Sequence, residues 1–68
     1  MWKDYLFEFV GEDSDNCGER FFLELFIEDD TTEKDIITCA LDLFPGEELA
    51  YLGEYSVEEA EELGYDTY

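Results

Sequence analysis

Sixty-eight residues carry 21 Asp and Glu against three Lys and Arg, with no His and a formal net charge of −18. One domain of this length, 1–68, buries only about 60% of the surface its unfolded chain exposes, and the 46% hydrophobic, 18% aromatic content supplies the dense core it needs, unlike an acidic disordered tail. The absence of imidazole excludes His-based catalysis and metal ligation, and Lys3, Arg20 and Lys34 are too few to neutralise phosphates, which excludes direct binding of nucleic acid.

Trp2 to Val10 alternates, with Tyr5, Phe7 and Phe9 on one face and Asp4, Leu6 and Glu8 on the other, and predicts a strand. Gly11 to Gly18 is rich in turn formers, and Arg20 to Glu28 alternates again, so the two segments form a β-hairpin. Phe21, Leu23, Leu25 and Ile27 share one face of the second strand; Phe22, Glu24, Phe26 and Glu28 share the other. Thr31 or Thr32 caps a helix, with Asp35 at capping-box spacing from Thr32, and Pro45-Gly46 ends it after Phe44. Its apolar arc is Ile36, Ile37, Ala40, Leu41, Leu43 and Phe44. Leu49 to Tyr55 is a third strand, interrupted by Gly53; Ser56 and Glu59 open a last short helix as a capping box, and Gly64 closes it. That helix can bury Val57, Ala60 and Leu63.

The expected fold is α+β, a two-layer β-β-α-β-α domain with a three-stranded antiparallel sheet in the order 2-1-3. Both helices are expected on the Tyr5, Phe7, Phe9 face. The other face is then open, carrying Trp2, Asp4, Leu6 and Glu8 beside Phe22, Glu24, Phe26 and Glu28. Aromatic groups on an exposed sheet face mark a contact surface, either for a partner or for a second copy of the chain. Further acids cluster at Glu12, Asp13 and Asp15, at Glu28, Asp29 and Asp30, and at Glu58, Glu59, Glu61 and Glu62. Carboxylates two apart on a strand recur about every 6.6–6.8 Å, roughly twice the rise between phosphates along one DNA strand. Solubility does not require so large an unbalanced charge, and its natural complement is a basic, nucleic-acid-binding surface.

Short length, charge, aromatics and the lack of catalytic residues together resemble the small acidic inhibitors of phages and mobile elements, the DNA-mimic class that includes anti-CRISPR and anti-restriction proteins. The segment Tyr51 to Tyr68, with Leu52-Gly53-Glu54-Tyr55-Ser56 leading to Glu61-Glu62-Leu63-Gly64-Tyr65-Asp66, is also similar to the ends of small phage-type proteins. The resemblance implies a non-enzymatic inhibitor in the bacterial cytoplasm. Its carboxylates would occupy the nucleic-acid groove of a CRISPR effector or restriction nuclease, with Trp2, Phe22 and Phe26 as apolar anchors.

Asp13-Ser14-Asp15-Asn16-Cys17-Gly18 followed by Glu24 approaches the spacing of an EF-hand calcium loop, but Cys17 stands at a ligand position and strands flank the segment. A hairpin turn accounts for it better, and neither metal nor cofactor is expected. Abundant acids also suit a paired-carboxylate hydrolase, which needs a pocket that so short a chain does not predict. Cys17 and Cys39 are too few for a disulfide scaffold and read as buried or idle thiols, with a single bridge open as the alternative. No apolar run reaches the roughly 20 residues of a membrane span, and Met1-Trp2-Lys3-Asp4 has no secretory core. The expectation is therefore a protein of the cytoplasm.

Overall fold

Alternation in the first two apolar segments builds β1 (Trp2–Phe9) and β2 (Arg20–Phe26), joined through the turn-rich segment between them, in a computed structural model that describes residues 1–68. Their antiparallel register sets Trp2 opposite Phe26, Asp4 opposite Glu24, Leu6 opposite Phe22 and Glu8 opposite Arg20. The alternate set, Tyr5, Phe7 and Phe9 with Phe21 and Leu23, enters the larger core cluster, where Phe7 and Phe21 stack with ring centroids 5.6 Å apart.

Helix α1 (Glu33–Leu43) covers that set. Thr32 is its N-cap: the Asp35 N–H donates to Thr32 Oγ1 at 3.3 Å, and the Thr32 N–H donates to Asp35 Oδ2 at 3.1 Å. Ile36 and Ala40 are buried on the strands, and Ile37 and Phe44 pack beside them. Leu41 and Leu43 of the expected apolar arc remain exposed, because α1 touches the sheet along one narrow stripe. β3 (Leu49–Tyr55) pairs antiparallel with β1, which gives the expected order of the first three strands.

A bulge interrupts the pairing of β3 with β1. Leu6 faces Gly53 and Phe7 faces Tyr51, so Leu52 has no partner on β1. The extra residue reverses the alternation. Tyr51 therefore packs on Phe7 with centroids 5.5 Å apart, while Tyr55 packs on Phe22 on the opposite face at 5.6 Å. Gly53 sits beside the bulge at φ +151°, a value L side chains rarely adopt.

The chain leaves β3 on this second face and forms α2 (Val57–Leu63), capped by Ser56 Oγ, which accepts from the Glu59 N–H at 3.2 Å. Gly64 ends α2 at φ +74°, as its place in the sequence requires. Ala60 of α2, Leu6 and Phe22 form a second buried cluster with Tyr55 against it. Val57 and Leu63, expected to be buried with Ala60, are exposed on this short helix.

Two expectations are thus corrected. The helices lie on opposite faces of the sheet, and the sheet has four strands, because β4 (Asp66–Thr67) pairs parallel to β2 in the order β3-β1-β2-β4. The corrections share one cause. The connection through α1 carries the chain from β2 across β1 to β3, and the connection through α2 carries it back across β1 and β2 to β4. All three linked strands run in the same direction. Two crossovers of one hand that travel in opposite directions must pass over opposite faces. The mixed sheet is therefore the middle of three layers, and Asp4, Tyr5, Leu6 and Phe7 are all buried in succession along its central strand.

Candidate functional site

On the α2 side, the paired positions of β1 and β2 form four rungs of different chemistry. Trp2 and Phe26 meet edge to face with centroids 5.5 Å apart, beyond the cover of α2, and are 57% and 58% exposed. Asp4 and Glu24 are two like charges placed opposite one another. Leu6 and Phe22 lie under Ala60, with Phe22 fully buried. Arg20 donates from Nε to Glu8 Oε1 at 2.9 Å, and the Glu8 carboxylate, followed by the Tyr65 hydroxyl, holds the guanidinium pKa above its usual value.

The open face expected from the sequence is accordingly smaller. Trp2, Phe26 and Glu24 are exposed; Phe22 is a core residue and Asp4 is buried, because α2 lies over them. Glu8 is half-buried in its ion pair. Of the remaining predicted contacts, Glu12, Asp13 and Asp15 are exposed in the β1–β2 connection, Glu28, Asp29 and Asp30 are exposed beyond β2, and Glu58, Glu59, Glu61 and Glu62 are exposed along α2.

The fold also assembles acids that sequence runs alone do not group. Glu12 and Asp13 meet Glu47 and Glu48 around a depression of about 150 Å³, held in place by the Val10 N–H, which donates to the Glu48 carbonyl at 3.0 Å. The signal for this grouping lies in the strand order: pairing β3 with β1 sets Leu49 opposite Phe9 and brings the residues before Leu49 to the hairpin end. A larger open depression of about 560 Å³ has Glu8, Glu19, Arg20, Tyr65 and Asp66 in its lining. Its Asp66 side depends on β4, which no pattern in the sequence announces.

Asp4 is the one carboxylate withdrawn from water. It is 2% exposed, and its Oδ1 has no hydrogen-bond partner. Burial, then repulsion from Glu24 of β2 and Glu61 of α2, raise its pKa above the ordinary value of 3.8. Tyr55 of β3 is its other strand neighbour. A carboxyl whose pKa is higher folded than unfolded binds more protons in the folded state, so its cost is absent below the ordinary value and complete above the folded one. Stability should therefore rise as pH falls from neutral toward the ordinary carboxylate value. Asp4→Asn should raise Tm at pH 7 by about 4–8 °C, the shift of a 1 kcal/mol gain in a domain of this size, and flatten the pH dependence. Thermal unfolding of both proteins between the two pH values tests this.

Both cysteines are free and exposed, which leaves neither the buried reading nor the bridge. The near-calcium segment is a turn, with Gly18 N–H donating to the Phe9 carbonyl at 2.8 Å and Glu24 standing within β2. No helix is long and apolar enough to cross a membrane. No protein-family model matches the chain, and no curated protein or solved structure matches it either.

Proposed function

We propose that the chain is a non-enzymatic inhibitor that docks, as an acidic nucleic-acid mimic, on the basic nucleic-acid-binding surface of a bacterial defence complex in the cytoplasm. A CRISPR effector or a restriction nuclease is the partner class. The observation that carries this reading is the disposition of charge. Eighteen of the 21 carboxylates are exposed, while Lys3 and Arg20 are occupied by Glu54 and Glu8 at 3.2 and 2.9 Å, so that Lys34 alone among the three cations has no ion pair. The molecule measures 35 Å along its longest axis, which is about one turn of duplex DNA. Such a field steers association with a basic groove, and displacement of the partner's nucleic acid follows from shared occupancy.

Affinity capture from a bacterial lysate, with one half eluted by salt and the other by duplex DNA, tests the proposal. A basic nucleic-acid-binding protein released by DNA is the expected result. A partner that DNA does not release would refute mimicry. The exposed Trp2–Phe26 pair favours a second reading, an interaction module or homodimer using apolar packing at that end of the sheet. Sedimentation of the pure chain separates the two: a dimer that Trp2→Ala dissociates supports the second reading, and a monomer removes the homodimer.

A further inference from the structure

We infer that the cavity between α2 and the β1–β2 face is a receptor for a single arginine side chain of the partner, with the guanidinium held by the Asp4, Glu24 and Glu61 carboxylates against the Tyr65 ring. The cavity is a half-open depression of about 290 Å³, and all four residues are in its lining. This inference rests on the proposed mimicry and names the group on the basic surface that the chain would engage.

The inner wall carries it. A buried carboxylate normally has a cation or several donors around it, since withdrawing its charge from water is otherwise costly. Asp4 has neither: Oδ1 is buried without a hydrogen bond, and the charges that act on it, Glu24 and Glu61, are also negative. Two of the chain's own cations are already paired, Lys3 with Glu54 and Arg20 with Glu8, and of these Arg20 reaches only the hydroxyl of Tyr65 at the edge of the lining. Three carboxylates in one lining, spaced too widely to share a metal ion and one of them with an unsatisfied oxygen, form a site that lacks its positive charge.

A guanidinium suits the cavity better than the other cations. Side chains able to hold a metal ion are nowhere grouped in threes or more in this fold. A guanidinium presents five N–H donors in a plane, enough to reach more than one carboxylate at once, and its weakly hydrated face stacks on an aromatic ring, whereas an ammonium is a compact and strongly hydrated point charge. The non-carboxylate walls include Val57, Ala60 and the Tyr65 ring, which itself packs on Phe22 with centroids 5.9 Å apart. The same arginines bind phosphate bidentately in nucleic-acid grooves, so a partner selected for phosphate carries the required group.

The test is an NMR titration of the whole chain with methylguanidinium chloride at pH 7.5, with ionic strength held constant by sodium chloride. Saturable shifts centred on Asp4, Glu24, Glu61 and Tyr65 are expected, with methylammonium at least about fivefold weaker. Asp4→Asn should weaken methylguanidinium binding at least about tenfold, as removal of a buried charged acceptor does. Asp42→Asn on α1 removes the same charge from the opposite side and should leave the affinity unchanged. Should Asp4→Asn fail to fold, Glu61→Gln, at an exposed position of α2, should weaken binding several-fold in its place. Shifts that spread over all acidic clusters without saturating, or equal losses in the Asp4 and Asp42 variants, would show a diffuse counterion atmosphere and overturn the site. The two proposals fail separately. A partner released by DNA together with no methylguanidinium binding removes the receptor and keeps mimicry; saturable binding with capture indifferent to DNA keeps the receptor and removes mimicry.

Discussion

Phe22→Ala should leave the chain largely unfolded, while Phe26→Ala, four residues along the same face of the same strand, should leave it folded. Phe22 is fully buried between Leu6, Ala60, Tyr55 and Tyr65. Truncating such a ring costs about 3–5 kcal/mol through lost transfer energy and the cavity left behind. A domain of this length has a total stability of about 3–10 kcal/mol, so one substitution consumes much or all of it. Phe26 is 58% exposed and loses only its edge-to-face contact with Trp2, which places its cost at about 0.5–1 kcal/mol. Urea unfolding followed by far-ultraviolet circular dichroism gives both values. Equal and small losses would mean that α2 does not cover this face.

The second large effect is expected on binding. Substituting Glu58 and Glu59 by Gln and Glu61 and Glu62 by Lys changes the net charge from −18 to −12 with little demand on the core, because all four side chains are exposed. Gln is used at the first two positions because they lie in the first turn of α2, where Lys would oppose the helix dipole. Each exposed charge contact is worth about 0.5–1 kcal/mol, so four lost contacts should lower affinity for the partner roughly 30- to 1,000-fold. The loss should appear mainly in the association rate and should shrink as salt is added. An interface built on Trp2 and Phe26 would keep its affinity. Surface plasmon resonance of the captured partner at two salt concentrations distinguishes these results.

How far the sequence can be read depends on which signals are local. The period of two in Trp2–Phe9 and Arg20–Phe26, the Thr32–Asp35 capping box and the left-handed Gly64 are written into a few adjacent residues, and each appears in the structure. The reciprocal box at Ser56 forms only by half: Ser56 accepts the Glu59 N–H, and Glu59 does not return the bond. The faces of the helices are a non-local property. They depend on β4, a strand of two residues with no alternation to announce it, and on a bulge at Leu52 that Gly53 hints at without giving its direction. Had the pairing of Asp66 and Thr67 with β2 been anticipated, the common hand of the two crossovers would have moved α2 to the second face and Phe22 into the core.

The same distinction governs the site. The exposed acids of the hairpin, the end of β2 and α2 are where their sequence runs place them, since a carboxylate run defaults to water. Asp4 is the exception. Alternation assigns it correctly to the face of Trp2 and Leu6, but its burial comes from α2 crossing above it. Apolar pairing of Leu6 and Phe22 with Ala60 is what fixes that helix, and it carries Asp4 under cover with no cation to accompany it.

The most direct measurement of competition with nucleic acid is the partner's apparent Kd for its own duplex or guide strand at increasing concentrations of this chain. Mimicry predicts that the apparent Kd rises in proportion to the added chain, with the maximal signal unchanged, and that excess nucleic acid restores full binding. A ternary complex, in which the partner holds its nucleic acid and this chain together at undiminished affinity, would contradict it.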